Sequence, residues 1–231
     1  MKTIGLIGGL GPESTVDYYR SLINTYHARH PDADPPSIII NSVNMQYALR
    51  CTREDRLQDL AEFLLLELQK LAAAGADFAL ITANTPHLVF DEVEQRSPLP
   101  LISIVQATAE RATQSGFKRL GLLGTRFTMQ ANFYPDVFAR NQMQIYVPDE
   151  NDQTYIHEKY FGELVKGVFP DETRDKLCEI IARVKDRHGI QAAILGGTEL
   201  PLILQGREAA GVPLLDTTRI HVEAALAQLD Q

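Results

Sequence analysis

The stretch that decides the fold is Ile4-Gly5-Leu6-Ile7-Gly8, which runs straight into Gly9-Leu10-Gly11-Pro12-Glu13-Ser14-Thr15. A short apolar run bounded by glycines has the length and punctuation of a buried strand. Glycines let the backbone turn tightly, and proline suits the first turn of a helix. The segment therefore reads as a strand that turns directly into a helix.

The same alternation continues along the chain. Strand-like runs fall at residues 4–8, 37–43, 77–83, 101–104, 119–124, 144–147, 191–196 and 212–215. They are continuously apolar rather than alternating, which predicts strands covered on both faces. Amphipathic helices lie between them. Over residues 55–74, Leu57, Leu60, Leu64, Leu68 and Leu71 recur every three or four positions, and Gly75 follows as the stop. Over residues 171–187, Leu177, Ile180, Ile181 and Val184 form a similar stripe. Strands alternating with helices predict an α/β fold with mostly parallel sheets and right-handed crossovers.

The chain also matches itself. Gly5-Leu6-Ile7-Gly8-Gly9 resembles Gly121-Leu122-Leu123-Gly124-Thr125, and Ala79-Leu80-Ile81-Thr82-Ala83-Asn84-Thr85 resembles Ala193-Ile194-Leu195-Gly196-Gly197-Thr198-Glu199. The two matches lie at nearly equal offsets, as a duplication requires. Two pseudo-symmetric lobes are expected, each a mostly parallel four-stranded sheet flanked by helices. Residues 1–100 with 212–231 would make the first lobe and residues 101–211 the second.

Composition limits the partners. Of 231 residues, 45% are hydrophobic and 23% charged, enough apolar surface for a packed core. A formal net charge of -8 repels phosphate backbones and anionic lipid, which argues against nucleic acid and membrane surfaces as partners. No apolar run approaches the ~20 residues of a membrane span. Met1-Lys2-Thr3-Ile4-Gly5 enters the first strand with no signal-peptide pattern. Cys51 and Cys178 make no disulfide scaffold. These features together lead us to expect a cytoplasmic protein.

In parallel α/β sheets, ligands bind beyond the carboxyl ends of the strands. Four such ends here are polar or glycine-rich. The first, Gly8 to Thr15, offers backbone near Gly9 and N–H groups at a helix start, which favour an anion. It also reads as an ordinary tight turn. A dinucleotide fingerprint needs Gly-x-Gly-x-x-Gly, and Ser14 stands where the last glycine belongs. The second end is Ala83-Asn84-Thr85-Pro86-His87, whose amide and hydroxyl could serve a ligand or cap a helix. In the third, Gly124-Thr125-Arg126-Phe127-Thr128, Thr125 and Thr128 could hold a carboxylate or act as caps. In the fourth, Gly197-Thr198-Glu199-Leu200-Pro201, Glu199 could serve a helix dipole or act on a ligand.

Taken together, these segments resemble the aspartate/glutamate racemase superfamily, and aspartate racemases in particular. Gly-Gly-Leu-Gly-Pro-Glu-Ser-Thr at residues 8–15 is similar to the opening of that family. Ala83-Asn84-Thr85-Pro86-His87 resembles its Cys-Asn-Thr-x-His motif, and Gly196-Gly197-Thr198-Glu199-Leu200-Pro201 its Gly-Cys-Thr-Glu-x-Pro motif. The order and spacing agree from end to end. The resemblance implies two lobes with a ligand cleft between them, a homodimer, no cofactor and no metal, and an acidic amino acid or small carboxylate as ligand. It implies cysteine-based proton transfer as well, because inverting an α-carbon needs one group to take the proton and another to return it. Thiols suit that work because their pKa can be tuned toward neutrality.

Here the sequence departs from the family. Ala83 and Gly197 stand at the positions the resemblance gives to the two catalytic cysteines, and neither side chain carries a proton. Cys178, beside the apolar stripe of its helix, reads as a buried structural thiol. Cys51, in an expected loop or helix start, reads as structural too. The remaining proton carriers are Glu199, His87, Lys166 and the weakly acidic Thr82, Thr85 and Thr198. The resemblance places Lys166 near substrate; Arg50 could meet a distal carboxylate from the loop after the second strand, although its segment lacks the family's arginine-loop pattern, and Gly9, Asn84, Thr85, Thr125, Thr128 and Thr198 complete the expected binding residues. Three readings stay open: an impaired racemase, a non-catalytic carboxylate-binding protein of the same fold, and a lyase or isomerase using another proton carrier.

Overall fold

The computed structural model describes residues 2–230, so the chain ends Met1 and Gln231, named in the expected boundaries above, lie outside the described residues. The chain forms two units, Met1–Ile104 with Thr218–Gln231, and Val105–Thr217.

The first unit is built on β1 (Thr3–Gly8), α1 (Pro12–Arg29), β2 (Ser37–Ser42), α2 (Met45–Arg53), α3 (Leu57–Ala73), β3 (Phe78–Ile81), α4 (Phe90–Arg96) and β4 (Leu101–Ile102). Its four strands are parallel in the order β2-β1-β3-β4. Side chains alternate across the two faces of the sheet, as strand geometry requires. Ile4 and Leu6 of β1 join Phe78 and Leu80 of β3 against Tyr18 and Leu22 of α1 and Val222 and Leu226 near the carboxyl end. Ile7, Ala79 and Ile81 point the other way, into Leu60, Leu64, Leu68 and Leu71 of α3. The leucine stripe read from the sequence is this buried face. Gly75, at φ +95°, ends α3.

The second unit contains α5 (Ile104–Gln114), β5 (Arg119–Gly124), α6 (Arg126–Gln130), α7 (Phe133–Ala139), β6 (Gln144–Tyr146), α8 (Glu150–Gly162), α9 (Asp171–His188), β7 (Ala192–Gly196), α10 (Leu200–Ile203), β8 (Glu208–Ala209) and β9 (Val212–Asp216). Its sheet runs β6-β5-β7-β9-β8, parallel except for the antiparallel β8. Leu123, Ala193 and Leu195 pack against Ile156 and Tyr160 of α8 and Leu177, Ile180, Ile181 and Val184 of α9. The last helix, α11 (Thr217–Leu229), returns to the first unit.

Ignoring the short β8, the two sheets share one topology: second strand, first, third, fourth. The self-matching segments occupy equivalent places, with Ile7 beside Ile81 in one sheet and Leu123 beside Leu195 in the other.

Three expectations need correction. The second sheet has five strands because residues 208–209 add a short edge that carries no apolar run. Residues 212–216 do not go with the first lobe: β9 pairs with β7 at Ala193 to Leu195, and only the helix after it crosses over. Finally, β2 is not covered on both faces. It is an edge strand, and Ile40 is 40% exposed.

Candidate functional site

In the first unit, β1 ends on Gly8 and turns through Gly9 at φ +76°. A Cβ on Gly9 would come within 2.6 Å of Ser42 Oγ and 2.7 Å of Val43 N, so the turn admits only glycine. The Gly9 N–H donates to Thr15 Oγ1 at 2.8 Å, and that hydroxyl donates to Gly11 O at 3.0 Å. The turn thus spends the Gly9 N–H on its own closure. Next to it, the Thr82 hydroxyl donates to Ile7 O at 2.8 Å, which ties the end of β3 to β1. Ser14 Oγ donates to the Thr82 carbonyl at 3.3 Å.

Beyond β3, Ala83 is half-buried, Asn84 is buried and Thr85 opens a short 3-10 turn through Val89. His87 closes that turn. Its Nδ1 lies 3.0 Å from the Ala83 carbonyl, and its Nε2 accepts the Ile104 N–H at 3.3 Å. An acceptor at Nε2 puts the proton on Nδ1, which donates to Ala83. Burial, with His221 nearby, pushes His87 down to about 3. His87 is therefore a neutral strut, with both ring nitrogens engaged. His221 plays the same part: Nδ1 accepts from the Tyr18 hydroxyl at 2.9 Å and Nε2 donates to the Ile102 carbonyl at 2.7 Å. Burial lowers it to about 4.

In the second unit, β5 delivers Thr125 to the start of α6. Its Oγ1 accepts the Thr128 N–H at 3.2 Å and lies 3.2 Å from Thr128 Oγ1. These threonines cap the helix first. Arg126, the next residue, brings a half-buried guanidinium whose Nη2 donates to Thr154 Oγ1 at 3.2 Å.

The end of β7 holds a buried polar cluster. Glu199 is 1% exposed. Its Oε2 accepts from Thr198 Oγ1 at 3.1 Å and from the Tyr160 hydroxyl in a short bond. The Tyr160 ring leans on Gly197, where a Cβ would lie 2.5 Å from ring atom Cε2 and 3.1 Å from the hydroxyl oxygen. Burial, and the Glu199 charge beside it, push the Tyr160 phenol well above its ordinary range.

Other expected residues lie apart from these clusters. Arg50 is exposed on α2, its guanidinium 5.7 Å from the Tyr47 ring. Lys166 is exposed in a short turn after α8. Cys51 is not in a loop: it is fully buried within α2, packed with the α3 leucines. Cys178 is half-buried on α9 rather than buried. An open groove of about 490 Å³ along α2 and α3 is lined by Asp59, Glu62 and Glu67 with Tyr47 and Phe63. Its acidic walls suit an anion poorly. Among the described residues, no three His, Cys, Asp or Glu side chains converge as metal ligands. No helix among them is long and apolar enough to cross a membrane.

The sequence model of the Asp/Glu/Hydantoin racemase family matches residues 7–225. The chain belongs to this family. A candidate Asp/Glu racemase from Yersinia pestis is similar at 33% identity and TM-score 0.88, each chain covered in full. An aspartate racemase homologue from Pyrococcus horikoshii OT3 is similar at 31% identity and TM-score 0.86, again over the whole of both chains. The broad specificity amino-acid racemase RacX of Bacillus subtilis is 27% identical over 65% of this chain and 66% of its own length.

In this Asp/Glu/Hydantoin racemase family member, Tyr160 and Arg126 stand at these strand-end segments although neither was among the residues expected from the sequence. Arg126 had a signal, as the one cation inside the four strand-end segments. Tyr160 had none, because it meets Glu199 only through the packing of α8 on β7.

Proposed function

We propose that this racemase-family protein binds an acidic amino acid or a related small carboxylate without a cofactor, and that its two-thiol proton transfer is lost at Ala83 and Gly197. The observation that carries the reading is the placement of the thiols. Both cysteines stand on helices, Cys51 on the buried face of α2 and Cys178 on α9, while the strand ends at Ala83 and Gly197 carry no ionisable side chain at those positions. Polar groups for a carboxylate remain at Asn84 and Thr85 after β3, and at Thr125, Thr128 and Arg126 after β5. Arg126 supports an anionic ligand in a chain of net charge -8, and it fits this role better than exposed Arg50 or Lys166.

A reading with another proton carrier is favoured over a purely binding role by the Tyr160 and Glu199 pair at the end of β7. We further propose that the protein works as a homodimer, as the family resemblance implies.

Thermal denaturation with D- and L-aspartate, D- and L-glutamate and citrate tests the ligand class. A ligand at 100 times its dissociation constant should add about 2.7 kcal/mol of stability. Stabilisation by at least one of these acids is expected. No response to any of them, or a response to nucleotides alone, would overturn the proposal.

A further inference from the structure

The Gly197 end of β7 lacks a thiol, yet a proton-bearing side chain stands beside it. Tyr160 comes from α8, 37 positions earlier in the chain, and is 7% exposed. Its hydroxyl oxygen lies 3.1 Å from the point where a Cβ at position 197 would sit, within the neighbourhood that a cysteine side chain there would reach. The same hydroxyl donates to Glu199 Oε2, which also accepts from Thr198 Oγ1 at 3.1 Å. A phenol carrying a proton is thus held by a buried carboxylate, with its oxygen beside the glycine. Glycine is what permits this: a Cβ at 197 would meet the ring at 2.5 Å.

We propose that Tyr160 and Glu199 form a proton relay at the position of the missing thiol, and that the relay exchanges the α-hydrogen of one enantiomer of an acidic amino acid. This rests on the acidic-amino-acid reading above. In the forward step the Cα–H bond breaks and its proton passes to Tyr160 Oη, while the proton already on Tyr160 passes to Glu199 Oε2. The electron pair of the broken bond stays on the substrate as a carbanion. In reverse, Tyr160 gives its proton to Cα and takes the one on Glu199. Atoms and charge balance without a phenolate: the carboxylate charge of Glu199 becomes the carbanion charge of the substrate. A phenol pushed well above its ordinary range keeps its proton at neutral pH, as the relay requires. The relay reaches Cα from one face only, so a hydrogen is returned to the face that lost it. Between the two steps the proton on Tyr160 Oη is traded for one from a solvent water, and Tyr160 then delivers that solvent hydrogen to the face of Cα that lost its own, with retention of configuration.

The test is proton NMR of each enantiomer of aspartate and glutamate in D2O with the full chain, followed by chiral chromatography of the same samples. Binding is measured in parallel by ligand titration. The relay predicts loss of the α-proton signal from one enantiomer with its configuration kept. Tyr160→Phe should slow exchange by about 10²-fold or more with binding retained. Glu199→Gln should do the same, and Glu199→Asp should restore part of the rate, which a merely structural carboxylate would not do. Binding without exchange in the parent overturns the relay and leaves the ligand reading standing. Exchange at the parental rate in Tyr160→Phe or Glu199→Gln overturns it as well. Absence of binding by the parent overturns the ligand reading and the relay with it.

Discussion

The ring of Tyr160 occupies the space that a side chain at position 197 would need, with Cε2 only 2.5 Å from where a Cβ would stand. The two positions are therefore coupled. Restoring the family's thiol by Gly197→Cys alone should overpack a buried corner and destabilise the protein by about 1–3 kcal/mol. Combining it with Tyr160→Ala should cost less than the sum of the single changes, by about 0.5–3 kcal/mol. Urea denaturation of the three variants measures this, and simple additivity would show that the ring yields freely.

The two buried histidines of the first unit make the fold acid-sensitive. Both have their pKa lowered by burial, His87 to about 3 and His221 to about 4, from an unfolded value near 6.5. Above pH 6.5 both are neutral in either state and contribute no pH dependence. As pH falls below 6.5 the unfolded chain binds protons that the folded chain refuses. Stability should drop by about 1.4 kcal/mol per pH unit for each histidine, down to about pH 4 for His221 and about pH 3 for His87. Denaturant midpoints between pH 7.5 and 4.5 should show the decline, and His221→Asn should make it shallower. A flat profile would contradict the buried neutral pair.

At the end of β5, Thr125 accepts the Thr128 N–H and starts α6. Thr125→Ala should cost about 1 kcal/mol in chemical denaturation, the usual worth of such a cap. If the same residue also meets the ligand, carboxylate affinity should fall by more than this stability loss explains. Titration of the folded variant separates the two effects.

Much of this architecture was legible in the sequence. All eight apolar runs became strands, and the repeat in glycine-punctuated segments matches the repeat in sheet order. Two features escaped for physical reasons. The edge strand at Glu208–Ala209 has too few residues to show periodicity, and β9 joins its sheet by a long-range pairing with Ala193 to Leu195 that no local pattern encodes. At the site, the strand-end motifs were readable because glycine, asparagine and threonine after an apolar run have local reasons to be there. The partner of Glu199 was not, since Tyr160 stands on a helix whose placement depends on the second core. Thr125 and Gly9 could be found but not their duties: each has its polar group engaged in closing its own turn.

The assembly prediction follows from the family. Twofold dimers are the commonest closed assembly. Light scattering at micromolar concentration should give twice the 25.8 kDa chain mass. A mass of one chain would refute the homodimer.

On the function proposed above, the family scaffold remains while two-thiol inversion is lost. The most direct measurement is chiral chromatography of single enantiomers of aspartate and glutamate incubated with the unmodified protein. Each starting enantiomer is expected to persist, even where its α-hydrogen exchanges with solvent. Rapid convergence of either amino acid to an equal mixture of enantiomers would contradict it.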